Sequence, residues 1–137
     1  MQKLLIKNDV SFLIVHSTYT TVHVDPTLSD VLRERQAEGF PDIGYHFVIG
    51  RSGEPLVGTP IHLAATHTPR FANISIGVLM VGGKSKRGRP MDNYEDSQKE
   101  SLRQLLKYIT SFYPNIKPIG AGAVLGGTSP HFNLEIL

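Results

Sequence analysis

FLIVHSTYT, residues 12–20, is the stretch on which the reading of this chain turns. Phe12, Leu13, Ile14 and Val15 are apolar on both faces of an extended backbone, the pattern of an interior strand covered from two sides. Polarity then begins abruptly at His16. The histidine therefore stands at the C-terminal end of a buried strand, followed by the hydroxyls of Ser17, Thr18 and Tyr19. An imidazole there can ligate a metal, act as a base, or hydrogen-bond within a polar cluster. Spacing alone leaves all three open.

Working outward, TTVHVDP is extended by composition, and Thr27 with Asp30 three positions later reads as a capping box opening a helix over residues 28–38. Leu28, Val31, Leu32 and Arg35 share one face of it, and Gly39 with Pro41 stops it. GYHFVIG alternates, which predicts a strand with Tyr45, Phe47 and Ile49 on one side and His46 and Val48 on the other. RSGE at 51–54 turns it into a short partner reaching Val57. Residues 61–73 show no sustained period and contain Pro69, so they read as an irregular crossing with one helical turn. ISIGVLMVGG, residues 74–83, is a second buried strand ended by glycines.

Gln98, Leu102, Leu105, Leu106 and Ile109 form a stripe at helical spacing, predicting a long amphipathic helix over residues 95–112 that Pro114 ends. The tail is glycine-rich and irregular, with residues 119–125 read as strand. Several strands with two helices between them, and no internal repeat, predict an α/β domain spanning residues 1–137, with a mixed central sheet flanked by helices. Such a sheet hosts many activities, so the site must name the function.

Composition narrows the classes. The chain has 137 residues, no cysteine and a formal charge of +2. Disulfides, thiolate nucleophiles, iron–sulfur clusters and cysteine-rich zinc sites are excluded. Part of the basic excess lies in KSKRGR, residues 84–89, too short a cluster for a nucleic-acid face. The first ten residues lack a signal-peptide pattern, and no run approaches the ~20 apolar residues of a membrane helix. The expectation is a cytoplasmic protein acting where it is made, with no membrane and no nucleic acid among its partners.

Six side chains stand out as ligand or site candidates beside Ser17 and Thr18. His16 ends the first strand. Tyr45 follows a glycine at a second strand terminus, where a phenol can polarise a carbonyl. His67 lies in the irregular crossing, where binding residues concentrate. His46 reads as a satisfied core histidine. Ser129 and His131 flank Pro130 near the end of the chain. No histidine and carboxylate accompany Ser129 as a triad would require, and the HExxH, Walker and dinucleotide patterns are absent.

IVHST, GFPDIGYHFVIGRSG, HTPRFANISIGVLMVGG, SQKESLRQLL and SPHFNL occur in that order, and together they resemble the zinc-dependent N-acetylmuramoyl-L-alanine amidases over nearly the whole chain. The likeness extends to the small phage lysozyme-amidases, which also inhibit an RNA polymerase. The resemblance implies that His16 is a zinc-ligand position, that Tyr45 assists catalysis and that His67 lines the substrate groove. It also implies a histidine pair, a lysine and a Cys or Asp in the tail. Anchoring on SPHFNL places Ala121 and Gly122 where the histidines belong, Gly127 at the lysine and Ser129 at the last ligand. Thr59 likewise stands where many relatives carry arginine.

A catalytic zinc site normally takes three protein ligands plus water, and neither a methyl group nor a hydrogen donates a lone pair. Without zinc nothing brings the pKa of a water from 15.7 toward ~7. The expectation is a degenerate amidase of phage type that no longer hydrolyses. It would have no cofactor, unless His67 or His131 rebuilds a zinc site with His16. It would bind a host or phage protein, an RNA polymerase among them, or a small ligand in the old cleft. An active amidase cleaving the bond between N-acetylmuramic acid and L-alanine is the alternative.

Overall fold

Strand β1 (Phe12–Ser17) forms where the apolar run predicts, and its flanking partners explain that run. The computed structural model, which describes residues 3–137, pairs β1 in parallel with β4 (Ser75–Met80) on one edge and β5 (Lys117–Gly120) on the other. Strand β2 (Phe47–Ile49) lies parallel to β4, and β3 (Pro55–Val57) closes the edge antiparallel to β2, giving the order β3-β2-β4-β1-β5. Parallel strands need long crossovers. Helix α1 (Leu28–Ala37) lies in the connection from β1 to β2, and α2 (Asp96–Thr110) in that from β4 to β5.

The two faces of the sheet take different helices. Leu13 and Val15 of β1 join Phe47, Ile49, Ile76, Val78 and Met80 against Leu102, Leu105 and Ile109 of α2. On the other face Val31 of α1 packs with Val48, Leu79 and Val81. The mixed α/β architecture read from sequence is therefore the one observed. His16, of opposite parity to Val15, falls on the α1 side, and the site is built there.

The start of α1 follows its signal. Thr27 Oγ1 accepts the Asp30 amide at 3.1 Å, and the Asp30 carboxylate accepts the Thr27 amide at 2.9 Å. The helix ends at Ala37, one residue before the expected boundary, and Gly39 follows with φ of 98°. In α2 the polar member of the stripe has its own reason to be inside. Gln98 is fully buried, its amide donates to the carbonyls of Ile49 and Val81, and its oxygen accepts the Glu95 amide. It ties the first turn of α2 to the ends of two strands. The irregular crossing contains one 3-10 turn, Pro69–Ile74.

Two sequence expectations are corrected. Tyr45 does not share a face with Phe47 and Ile49; it packs against the Val31–Val48 cluster on the α1 side. The amides of Gly58 and Thr59 bond to the consecutive carbonyls of His46 and Tyr45, which a regular antiparallel ladder does not do, so the pleat is broken before Phe47. Gly58 permits this approach, since a Cβ there would lie 2.4 Å from the Tyr45 carbonyl oxygen. The second concerns residues 119–125. Strand β5 ends at Gly120, and residues Gly122–Leu125 form a short helical turn, α3, closed by the Leu125 amide on Ala121 O and the Gly126 amide on Gly122 O.

Candidate functional site

Three elements deliver the side chains. β1 brings His16 to its C-terminal end, the segment before β2 brings Tyr45, and the crossing before β4 brings His67 and Thr68. The His67 ring lies over Gly77 of β4, where a Cβ would sit 2.2 Å from its Cγ. A glycine in the middle of an otherwise apolar strand is thus the seat of an imidazole.

The histidines form one buried network. His16 Nε2 lies 3.2 Å from His67 Nδ1 and 3.0 Å from Thr68 Oγ1, which itself lies 2.9 Å from His67 Nδ1. The proton positions follow from the outer partners. Ser75 Oγ donates to the Phe71 carbonyl at 2.6 Å, so it accepts from His67 Nε2–H at 3.2 Å, and His67 Nδ1 is left as the acceptor facing His16 and Thr68. His46 is fixed the same way. Its Nε2–H donates to the Leu63 carbonyl at 2.6 Å, and its Nδ1 accepts the Gly77 amide at 3.0 Å. It is a fully buried, satisfied histidine, as its sequence position suggests.

Electrostatics keep all three imidazoles neutral. Burial, assisted by the nearby Arg35 charge, lowers His16 to about 4. Burial lowers His46 to about 4, and it holds His67 well below the ordinary range, with His16, His46 and Arg35 adding to the effect. Tyr45 packs edge-on to His16 at 5.3 Å between ring centroids, and burial raises its phenol above the usual value while Arg35 opposes that shift. At neutral pH these are uncharged side chains, each a weak base or a very weak acid.

Beside this network, between α1 and the strand ends, opens a cavity of about 300 Å³. Ser17, Thr18 and Tyr45 line it, and so do Glu34, Arg35 and Glu38 of α1. The three α1 residues were not among the site residues inferred from sequence. Their signal was Arg35, a cation on the inward stripe of an amphipathic helix. Its guanidinium is buried, stacks 3.8 Å over the Phe40 ring, and donates through Nη2 to Thr66 O at 2.6 Å and Thr66 Oγ1 at 3.0 Å. Its Nε is buried without an acceptor.

The tail runs beside the end of β1, where the Tyr94 hydroxyl lies 2.9 Å from Ser17 Oγ and 2.7 Å from the Pro130 carbonyl. His131 Nδ1 bonds Thr128 Oγ1 at 2.9 Å, and its ring sits 5.4 Å from Tyr19. The Ser129 carbonyl accepts the Gly122 amide at 2.9 Å, and Ala121 is buried with its amide on Val15 O. The backbone around Gly122 is crowded, for a Cβ there would meet Gly127 O at 2.5 Å. Thr59 is buried behind Tyr45, bonded to its carbonyl.

The comparisons with known proteins agree with this architecture. The family model described as N-acetylmuramoyl-L-alanine amidase matches residues 6–132, and the chain belongs to that family. The endolysin of Enterobacteria phage K11 is 26% identical over 129 residues, covering 94% of this chain and 85% of its own. The endolysin of Escherichia phage T7 is 28% identical over 123 residues, covering 90% and 82%. Among solved structures, the Ph2119 endolysin from the Thermus scotoductus MAT2119 bacteriophage superposes with a TM-score of 0.79 at 18% identity, covering 98% of this chain and 86% of that one. Bumblebee PGRP-SA gives 0.75 at 23% identity, covering 99% and 83%. The fold is thus related both to phage endolysins and to peptidoglycan-recognition proteins.

The family implies zinc, and the side chains here do not fit it. Among the described residues no group of three or more His, Cys, Asp or Glu side chains converges so as to hold a metal ion. His16 Nε2 already lies within hydrogen-bond distance of His67 and Thr68, and the latter offers only a neutral hydroxyl. Among the described residues no three-donor site with an open water position is assembled.

Proposed function

We propose that this chain is a non-hydrolytic member of the amidase family, which binds a small ligand in the cleft between α1 and the sheet instead of cleaving an amide. One observation carries the reading: His16 is engaged by His67 and Thr68, and among the described residues no group of three metal-ligating side chains includes it. The tail supports it. On the family's pattern Ala121, Gly122, Gly127 and Ser129 take the places of the histidine pair, the lysine and the last ligand, and the tight backbone at Gly122 leaves no room for a side chain. Tyr45 keeps its place beside His16 without a metal-bound water to act on. His16, Ser17, Thr18, Tyr45 and His67 then serve as wall and support of a binding cleft.

The test is hydrolysis of purified cell-wall peptidoglycan with added zinc, read as release of free amino termini. No release above a heat-inactivated control is expected. Release that EDTA and His16→Ala both abolish would instead identify a working amidase.

A second reading, binding to a protein partner, rests on the loop at 84–89. Lys86, Arg87 and Arg89 are exposed, and no ion pair among the described residues includes them. Such a basic loop suits an acidic protein surface, and the resemblance to the phage lysozyme-amidases adds an RNA polymerase as a candidate. Retention of purified polymerase on immobilised protein, lost when the three residues become serine, supports this reading, and no retention removes it.

A further inference from the structure

We propose that the pocket between the hairpin at 84–91 and the segment before α1 docks an acidic peptide of a protein partner, one large apolar side chain seated in it and the flanking carboxylates on Lys86, Arg87 and Arg89. The inference rests on the partner reading of that loop and specifies the chemistry the partner must present.

Four cations fall within the six residues 84–89, and the fold holds them together instead of letting them spread. Lys84 pairs with Pro90 in an antiparallel bridge, the Ser85 amide donates to Arg89 O at 2.8 Å, and the Gly88 amide donates to Ser85 O at 2.9 Å. Like charges confined in so tight a turn repel one another, and an anionic partner relieves that repulsion. No ion pair among the described residues includes any of the four. Asp92, the carboxylate just past the hairpin, is taken by Lys99 at 2.6 Å.

Charge alone would suit any anion, and the pocket narrows the choice. Its volume is about 340 Å³, and its surface is almost wholly apolar although Lys84, Lys86 and Arg87 line it beside Val22 and Met91. The methylene stems of the three cations therefore form the wall, and their charged heads are left toward water. Val22 and Met91 are each about half exposed, an apolar surface with charge around it of the kind a partner covers. The volume lies at the small end of ligand pockets and takes one large side chain rather than a helix. A flat lipid surface would not fill this concavity, and a phosphate alone would leave its apolar floor uncovered.

The walls are also fixed before anything binds. Arg51 donates through Nη1 to Asn93 O at 2.7 Å and through Nη2 to Thr21 O at 2.8 Å, so one guanidinium spans both sides of the pocket. Asn93 Oδ1 accepts the Gly83 amide at 2.7 Å, and its Nδ2 donates to Lys84 O at 2.9 Å, which locks the root of the hairpin. Little ordering is left for binding to impose.

The experiment is calorimetric titration of the full chain, at low salt, with three capped heptapeptides: phenylalanine between two runs of three glutamates, the same with glycine for the phenylalanine, and the same with glutamine for every glutamate. Saturable binding of the first is expected, weakening as salt is added, with affinity at least about tenfold lower for each of the other two. Lys86→Ser, Arg87→Ser and Arg89→Ser together should weaken the first peptide at least about tenfold, and Met91→Ser should erase the advantage of phenylalanine over glycine. All four positions are exposed, so these variants should keep the native melting temperature. No saturable binding, equal affinity for the phenylalanine and glycine peptides, or unchanged affinity in the triple variant would overturn the proposal. Tighter binding to phosphatidylglycerol vesicles than to the peptide would also overturn it, and would assign the hairpin to an anionic membrane surface. Retention of polymerase without peptide binding would refute the pocket and leave the partner reading standing. Peptide binding without retained polymerase would refute polymerase as the partner and leave the pocket standing.

Discussion

His67 shows how one residue's environment sets its chemistry. Its ring rests on Gly77, its Nε2–H is anchored by Ser75, and its unprotonated Nδ1 faces His16 and Thr68. Adding a single methyl group at Gly77 must push the ring off the strand. Gly77→Ala is expected to destabilise the protein by about 1–3 kcal/mol, as overpacking does, and a denaturant melt measures it. The neutral imidazoles add a pH dependence. His16 and His46 titrate near 4 in the folded chain against 6.5 for the ordinary side chain, so the unfolded chain takes up their protons first. Stability is therefore complete above pH 6.5 and falls as the pH drops toward 4, by on the order of 3 kcal/mol for each histidine. The urea midpoint should decline across that interval, and His46→Gln should make the decline shallower. A flat profile would show that these histidines are not held neutral. At this scale sequence gave partial access. His16 and Tyr45 were visible as candidates, whereas the Gly77 seat was not, because a glycine within a strand announces a close approach without saying what approaches.

Among the elements, those governed by local chemistry were legible before any coordinates. The apolar run of β1, the capping box at Thr27 and the stripe of α2 each fix backbone geometry through neighbours a few residues away. Thr27→Ala should remove one arm of the box and cost about 1 kcal/mol, measurable as a lower melting temperature. Gln98→Leu should cost about 2 kcal/mol or more, because the carbonyls of Ile49 and Val81 both lose a buried donor. A loss well under 1 kcal/mol would mean that the amide is not the tie between α2 and the sheet. Where sequence failed, a distant contact decided. Tyr45 turned to the α1 side because Gly58 brings a neighbouring backbone against it, 13 positions along the chain. The expected strand past Gly120 became a helical turn because its carbonyls found amides four residues on, a choice that a run of glycine and alanine does not declare.

Over the whole molecule, the amidase fold is present, and among the described residues no three strong donors converge on His16. β1 and the segment before β2 bring His16 and Tyr45 together at 5.3 Å between ring centroids, with Arg35 in the α1 wall of the adjoining cavity. What the family's chemistry requires in addition is three strong donors around one open position, and those described here do not assemble. Metal binding is what divides the proposed binding role from amide hydrolysis. The most direct measurement is calorimetric titration of zinc into chelator-treated protein at neutral pH. The expected result is no saturable one-to-one binding, with the same weak heats from the native chain and His16→Ala. A tight, stoichiometric isotherm that disappears in His16→Ala would contradict it.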